Sequence, residues 1–278
     1  MPFAIRLLLI FAAVYGLLLI GMFLFQRRLM YIPHKRLVSP HMDQSPVLEK
    51  VTLRTADGLS LKSWYAAPGK TKDGRLFPTI LYLHGNTGIA ADAAHKLIPM
   101  ADAGFGIMLV EYRGYDGNPG KPTEVGLILD ADAALHFIRE KQGNNARVIY
   151  YGMSMGTGVA NGLAVKVPPA AFIQEAGFTS FLDAGRQWYW FLPLSFLMKD
   201  TFQSRERIRS LKAPLLILHG EKDRTVHVSQ AREMFKAAGT YDKEIKLYPE
   251  GRHTNLYDFG ASDDILEWLY KKFPETKP

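Results

Sequence analysis

The chain of 278 residues contains no cysteine, which excludes disulfide frameworks, thiolate nucleophiles and cysteine-ligated zinc or iron–sulfur clusters. Its absence does not choose a compartment, since a cysteine-free chain suits either side of a membrane. Internal repeats and low-complexity tracts are missing as well, so solenoids and long disordered tails are set aside. Acid is in short supply: 34 Lys and Arg stand against 27 Asp and Glu, a formal charge of +7. A basic excess invites nucleic acid as a partner, but no recognisable binding module accompanies it. Part of the excess, Arg27, Arg28, Lys35 and Arg36, is bunched just after the apolar amino terminus with no acid among them. That placement points to anionic lipid headgroups.

Charge is also absent from Leu7 to Phe25, LLLIFAAVYGLLLIGMFLF. As a helix this stretch spans about 29 Å, close to the hydrocarbon thickness of a bilayer. A cleaved signal peptide needs a shorter apolar core and small residues at the cut, whereas IGMFLFQRR offers bulky ones. Residues 1–30 are therefore expected to be a retained transmembrane anchor, and 31–47, with two prolines, a juxtamembrane linker. One arginine before the span against four basic residues after it places the remainder on the cytoplasmic side by the positive-inside rule.

What is present from residue 48 to 278 is enough for one large domain, with 47% hydrophobic residues to fill a core. VTLRT (51–55) and LSLKSWYA (59–66) flank Ala-Asp-Gly and predict an antiparallel hairpin. Six further apolar runs, 78–85, 105–112, 147–152, 170–176, 213–220 and 243–250, read as strands. Helical spacing occupies 90–102, 123–141, 155–166, 228–238 and 256–272, as in Val125, Ile128, Ala131, Leu135 and Ile138. Such alternation predicts a mostly parallel eight-stranded sheet with helices on both faces. The exception is 178–211, a mixed aromatic and basic insertion.

Chemistry concentrates at strand ends. Gly152-Met153-Ser154-Met155-Gly156 is a G-x-S-x-G between a predicted strand and a predicted helix, where flanking glycines permit a sharp turn that lifts the hydroxyl clear of the sheet. A serine hydroxyl is a weak nucleophile unless a base lies within hydrogen-bond reach and a third group fixes that base's tautomer. Asp223 follows the strand LLILHG, and His253 follows KEIKLYP, so all three fall at carboxyl ends of strands, where sheets of this kind build sites. Glu175, ending AAFIQEA, is a rival for the acid position; placement after the later strand favours Asp223. Among the histidines, His84 and His219 precede glycines at strand ends and read as structural. His95 and His136 lie in helical patterns, His34 and His41 in the linker, and His227 is too close to Asp223 in sequence. His253 remains. The loop His84-Gly85-Asn86-Thr87-Gly88 and the start of the helix after Ser154 offer the backbone N–H groups of Asn86 and Met155 as a pair of oxyanion donors.

In chain order, HGNTG, EYRGYDGNPG (111–120), GMSMG, HGEKDRTV (219–226) and GRHTNL (251–256) give a sequence that resembles the α/β-hydrolase family from about residue 48 to the end. With its anchor it is most similar to the single-pass membrane-bound branch that includes animal protein depalmitoylases. The resemblance implies the α/β-hydrolase fold, with Ser154, Asp223 and His253 as a catalytic triad. It departs from the family pattern at Asp116, Asn118 and Arg252. The expected activity is hydrolysis of carboxylic esters or thioesters of apolar, lipid-like acyl substrates through an acyl-enzyme, with no metal or organic cofactor. A serine peptidase of the same fold and a non-catalytic membrane scaffold are the alternatives. The insertion 178–211 is expected to form a small lid, with Trp188, Trp190 and Phe191 lining an acyl pocket or resting on the bilayer.

Overall fold

The apolar run at the amino terminus is the interior of a longer helix, α1 (Phe3–Met30), of 28 residues. At about 1.5 Å per residue it measures some 42 Å, and by length and composition it can cross a membrane. The computed structural model describes residues 2–33 and 48–277. Most of the expected linker, including His34, Lys35, Arg36 and His41, lies outside the described residues.

From residue 48 the alternating pattern becomes one sheet. Its strands are β1 (Glu49–Arg54), β2 (Ser60–Ala66), β3 (Thr79–Leu83), β4 (Gly106–Val110), β5 (Val148–Met153), β6 (Ala171–Glu175), β7 (Leu215–Gly220) and β8 (Lys243–Tyr248). They lie in the order β8-β7-β6-β5-β3-β4-β2-β1. β2 runs antiparallel to both of its neighbours, and every other pairing is parallel. The eight-stranded, mostly parallel sheet expected from the pattern is present.

Strands buried on both faces need no polar side, which is why TILYL reads as an unbroken apolar run. Its residues alternate between two cores: Leu81 and Leu83 point toward one, Ile80 and Tyr82 toward the other. The first core is closed by α3 (Glu124–Gln142), α4 (Met155–Lys166) and α8 (Val228–Ala237), and the second by α2 (Ala94–Asp102) and α9 (Ala261–Lys272). On α3 the residues Ile128, Ala131, Leu135 and Ile138 are buried, but Val125 is 70% exposed. Each three-residue step turns back by about 60° on a 3.6-residue helix, so two of them carry Val125 off the packed stripe.

The insertion forms three short helices, α5 (Phe181–Arg186), α6 (Leu194–Leu197) and α7 (Ser204–Ile208). It is fastened to the end of α1. Gln26, 7% exposed, donates to the carbonyl of Leu197 at 2.8 Å and accepts from the amide of Lys199 at 2.7 Å. Arg27 donates to both carboxylate oxygens of Asp200, at 2.8 and 3.2 Å. Arg27 is thus engaged by protein, and the basic group after the span is not wholly available to lipid. Immediately beyond α1, Tyr31 is buried in the first core and Ile32–Pro33 pair in parallel with Thr87–Gly88. The start of the expected linker is therefore folded onto the domain.

Asn118, a departure from the family pattern, ties strand ends together. Its amide donates to the carbonyls of Lys62 and Glu111, and its oxygen accepts from the amide of Lys62 at 2.8 Å. Arg113 in the same loop donates to Asp57 and Asp130, and it helps hold Asp57 at a pKa of about 2.

Candidate active site

Ser154 joins β5 to α4 with φ 51° and ψ −119°, a conformation that costs a non-glycine residue about 1–3 kcal/mol. The surroundings hold it there. Its amide donates to the carbonyl of Glu175 at 2.8 Å, and Thr157 Oγ1 donates to its carbonyl at 2.7 Å. Both glycines of the motif are sterically required: a Cβ on Gly152 would lie 2.6 Å from Gly156 O, and one on Gly156 only 1.9 Å from Leu83 O. Close approach of β3, β5 and α4, as much as turn conformation, demands glycine here.

The loops after β7 and β8 meet in the same way. A Cβ on Gly220 would come within 2.3 Å of the Gly251 backbone, and the amides of Glu221 and Lys222 donate to the carbonyls of Tyr248 and Gly251, each at 2.9 Å. This seam carries Asp223 and His253 to Ser154. The Ser154 hydroxyl lies 2.9 Å from His253 Nε2, and His253 Nδ1 lies 2.8 Å from Asp223 Oδ2. With the carboxylate accepting from Nδ1–H, the tautomer that satisfies the network leaves Nε2 free to accept the serine proton.

Asp223 is 2% exposed. Burial alone would raise its pKa, but hydrogen bonds from His219, His253 and the Val226 amide outweigh that and hold the carboxyl well below its ordinary range. Its second oxygen accepts from the amides of Thr225 and Val226 at 2.8 and 2.9 Å. His219 is also fixed, donating through Nε2 to the carbonyl of Val226 at 2.8 Å.

Glu175, the rival acid, is turned to other work. Lys96 reaches its carboxylate at 2.7 Å, and Tyr151 donates to its other oxygen at 2.7 Å. Sequence reasoning missed this pair; the two residues are 79 positions apart, and neither spacing nor pattern announces it. Among the remaining histidines, His84 is buried against Tyr112 and Tyr115, His95 and His136 are exposed on helices, and His227 caps α8.

Gly85 sits beside the serine, where a Cβ would be 3.5 Å from Ser154 Cβ. The next residue, Asn86, is held by Tyr115, whose hydroxyl donates to the Asn86 carbonyl at 3.0 Å, and by the Ile32 amide, which donates to its side chain at 3.2 Å. Met155 opens α4, so its N–H has no acceptor within the helix.

Among the described residues, two depressions lie near this constellation. On the His253 side a polar basin of about 650 Å³ is bordered by Lys222, Arg224, His227 and Arg252. On the Asn86 side lies a cavity of about 230 Å³ whose mostly apolar wall includes Met22, Leu29 and Met30 of α1 with Phe181, Leu194 and Leu197 of the insertion. Trp188, Trp190 and Phe191 do not line it and are exposed. Of the two expected places for them, an acyl pocket or the bilayer, this cavity's wall is not one: from the insertion it takes Phe181, Ala184, Tyr189, Leu194 and Leu197. A tract apolar on all sides gives no sequence signal for which side faces in. The contribution of α1 was likewise missed, though Gln26, the first polar residue after the apolar run, could have signalled a buried contact. Among the described residues no group of three His, Asp or Glu side chains could hold a metal ion.

The sequence pattern of a family described as serine aminopeptidase, S33, matches residues 185–259. An uncharacterised protein of Mycobacterium tuberculosis is 37% identical over 77% of this chain and 75% of its own length. Protein bem46 of Schizosaccharomyces pombe is 30% identical over 78% of both chains. The lysophosphatidylserine lipase ABHD12 of Rattus norvegicus is 31% identical, covering 72% of this chain and 58% of that one. Among solved structures, an esterase of Pyrococcus furiosus superposes with a TM-score of 0.71 at 20% identity, over 88% of this chain and 98% of that one.

Proposed function

The chain belongs to the α/β-hydrolase family, and from that premise we propose that it is a membrane-anchored serine hydrolase cleaving carboxylic esters or thioesters of apolar acyl groups. One observation carries the reading: Ser154, His253 and Asp223 form an unbroken chain of hydrogen bonds at 2.9 and 2.8 Å. The esterase and lipase names among its relatives and structural neighbours support the same class.

Ser154 Oγ attacks the carbonyl carbon while its proton passes to His253 Nε2, and Asp223 stabilises the imidazolium that forms. The carbonyl oxygen, now negative, lies against the N–H groups of Asn86 and Met155, each such donor worth about 2.7–4 kcal/mol in the transition state. Collapse breaks the bond to the alcohol or thiol, which leaves with the proton from His253. Water, deprotonated by His253, then splits the acyl-enzyme and releases the carboxylic acid. No cofactor takes part in this sequence. Residues 1–30 serve as the anchor, 48–278 as the hydrolase domain with 178–211 as its lid, and the basic residues after the apolar run favour a cytoplasmic domain.

The matched description as a serine aminopeptidase raises peptide bonds as a second substrate class. Purified full-length protein assayed on p-nitrophenyl acyl esters, acyl thioesters and aminoacyl p-nitroanilides decides between them. Ester or thioester turnover lost in Ser154→Ala and His253→Ala supports the proposal. Turnover of anilides alone transfers it to peptides, and turnover of none by folded protein points to a non-catalytic scaffold.

A further inference from the structure

We infer that the apolar cavity beside Asn86 holds the substrate's acyl chain and that α1 is one of its walls, so that a single acyl chain enters sideways from the bilayer. The inference rests on the serine hydrolase reading and adds the place and route of the acyl group.

Chemistry orients the substrate first. His253 must deliver a proton to the leaving alcohol or thiol, so the leaving group lies toward the His253 side, where the basin is polar and bordered by Arg224 and Arg252. The acyl carbonyl lies by Asn86 and Met155, and its chain runs away from the leaving group. On that side the lining turns apolar: Met22, Leu29 and Met30 face Phe181, Leu194 and Leu197. Such a lining accepts a chain of methylenes without burying a polar group against it.

The wall formed by α1 is built into the domain. Gln26 is hydrogen-bonded on both sides of its amide to the insertion, and Arg27 is paired with Asp200. Further up the helix, Tyr15 donates to the carbonyl of Phe191 at 2.8 Å. The insertion therefore follows α1 from Gln26 to Tyr15, about 16 Å at the rise of an α-helix, within the segment apolar enough to span a membrane. Its outward side chains suit that depth: Trp190 is 81% and Phe196 86% exposed, large apolar surfaces that water would disfavour and lipid accepts. Leu29, a wall residue, is itself exposed, so the cavity opens toward the surface that lipid would cover. An acyl chain leaving the bilayer would follow this wall to Asn86, the edge of the site that the cavity reaches.

The test uses full-length protein in detergent micelles, with the ratio of kcat/KM for p-nitrophenyl decanoate to that for p-nitrophenyl acetate as the readout. Ala184→Trp, from α5, and Met22→Trp, from α1, both occlude the cavity and are expected to lower the ratio about tenfold or more, the scale on which pockets discriminate by chain length. Tyr189→Ala, which widens it, is expected to raise the ratio. Leu24→Trp, on the exposed side of α1, leaves it unchanged. Fluorophosphonate labelling of every variant separates the two readings: an unlabelled wild type overturns the serine hydrolase assignment itself. Labelled variants with an unaltered ratio, or with both esters slowed equally, overturn the cavity as the acyl site. A ratio that responds to Ala184→Trp but not to Met22→Trp overturns the role of α1.

Discussion

Two carboxylates stand at the carboxyl ends of neighbouring parallel strands, Glu175 closing β6 and Asp223 just after β7, and both are sealed from water at 0% and 2% exposure. Residue type and burial do not separate them; the partner does. Glu175 meets an ammonium and a phenol, Lys96 and Tyr151, whose charge and donors keep it fixed beneath the serine turn. Asp223 meets an imidazole whose other nitrogen faces the serine hydroxyl. One carboxylate is thus tied into structure, while in the proposed mechanism the other stabilises a charge that appears only during reaction.

The most severe way to break this comparison is Asp223→Asn. Steady-state ester kinetics are expected to show kcat lowered roughly 10⁴-fold, the scale set by an amide that imposes the wrong tautomer on the base, while the protein still folds. Glu175→Gln is expected to act in the opposite register. It leaves the buried Lys96 ammonium without a counter-charge, which destabilises by about 3–5 kcal/mol; denaturant unfolding should record that loss, with kcat of the surviving folded enzyme far less affected. The comparison sharpens in Lys96→Met/Glu175→Gln, where removal of both charges should restore most of the lost stability in the same unfolding assay.

The next effect depends on pH. Because the folded-state pKa of Asp223 is depressed, its contribution to stability is fully present above the unfolded carboxylate value of about 3.9 and drains away as pH falls below that. Thermal melting of wild type and Asp223→Asn should differ at neutral pH and converge on acidification. A constant difference would mean that the ionised carboxylate is not what the fold favours. Smallest of all is Arg27→Ala, which removes the half-exposed partner of the buried Asp200 carboxylate: about 1–3 kcal/mol, read by denaturant unfolding.

The same contrast explains what could be read from the sequence. The strands and their order of chemistry were legible because each apolar run stops at a glycine or an acid where the chain must turn. The spacing of Gly152, Ser154 and Gly156 carried the strained turn with it. The contacts that tune the site were not legible. Lys96 meets Glu175 across the sheet's carboxyl edge, and Gln26 meets Leu197 and Lys199 across 171 and 173 positions; no local period encodes such pairs. For Trp188, Trp190 and Phe191 the sequence leaves both an acyl pocket and the bilayer open, because size alone does not say whether an aromatic side chain faces a cavity or lipid.

The central claim is that Ser154 is activated by a histidine that Asp223 holds in place. Fluorophosphonate labelling of the purified full-length protein, with the adduct located by peptide mass spectrometry, tests it most directly. The account predicts one adduct, on Ser154, absent in Ser154→Ala and His253→Ala and slow to form in Asp223→Asn. A folded wild type that stays unlabelled under conditions that label a known serine hydrolase, or an adduct on another residue, would contradict it.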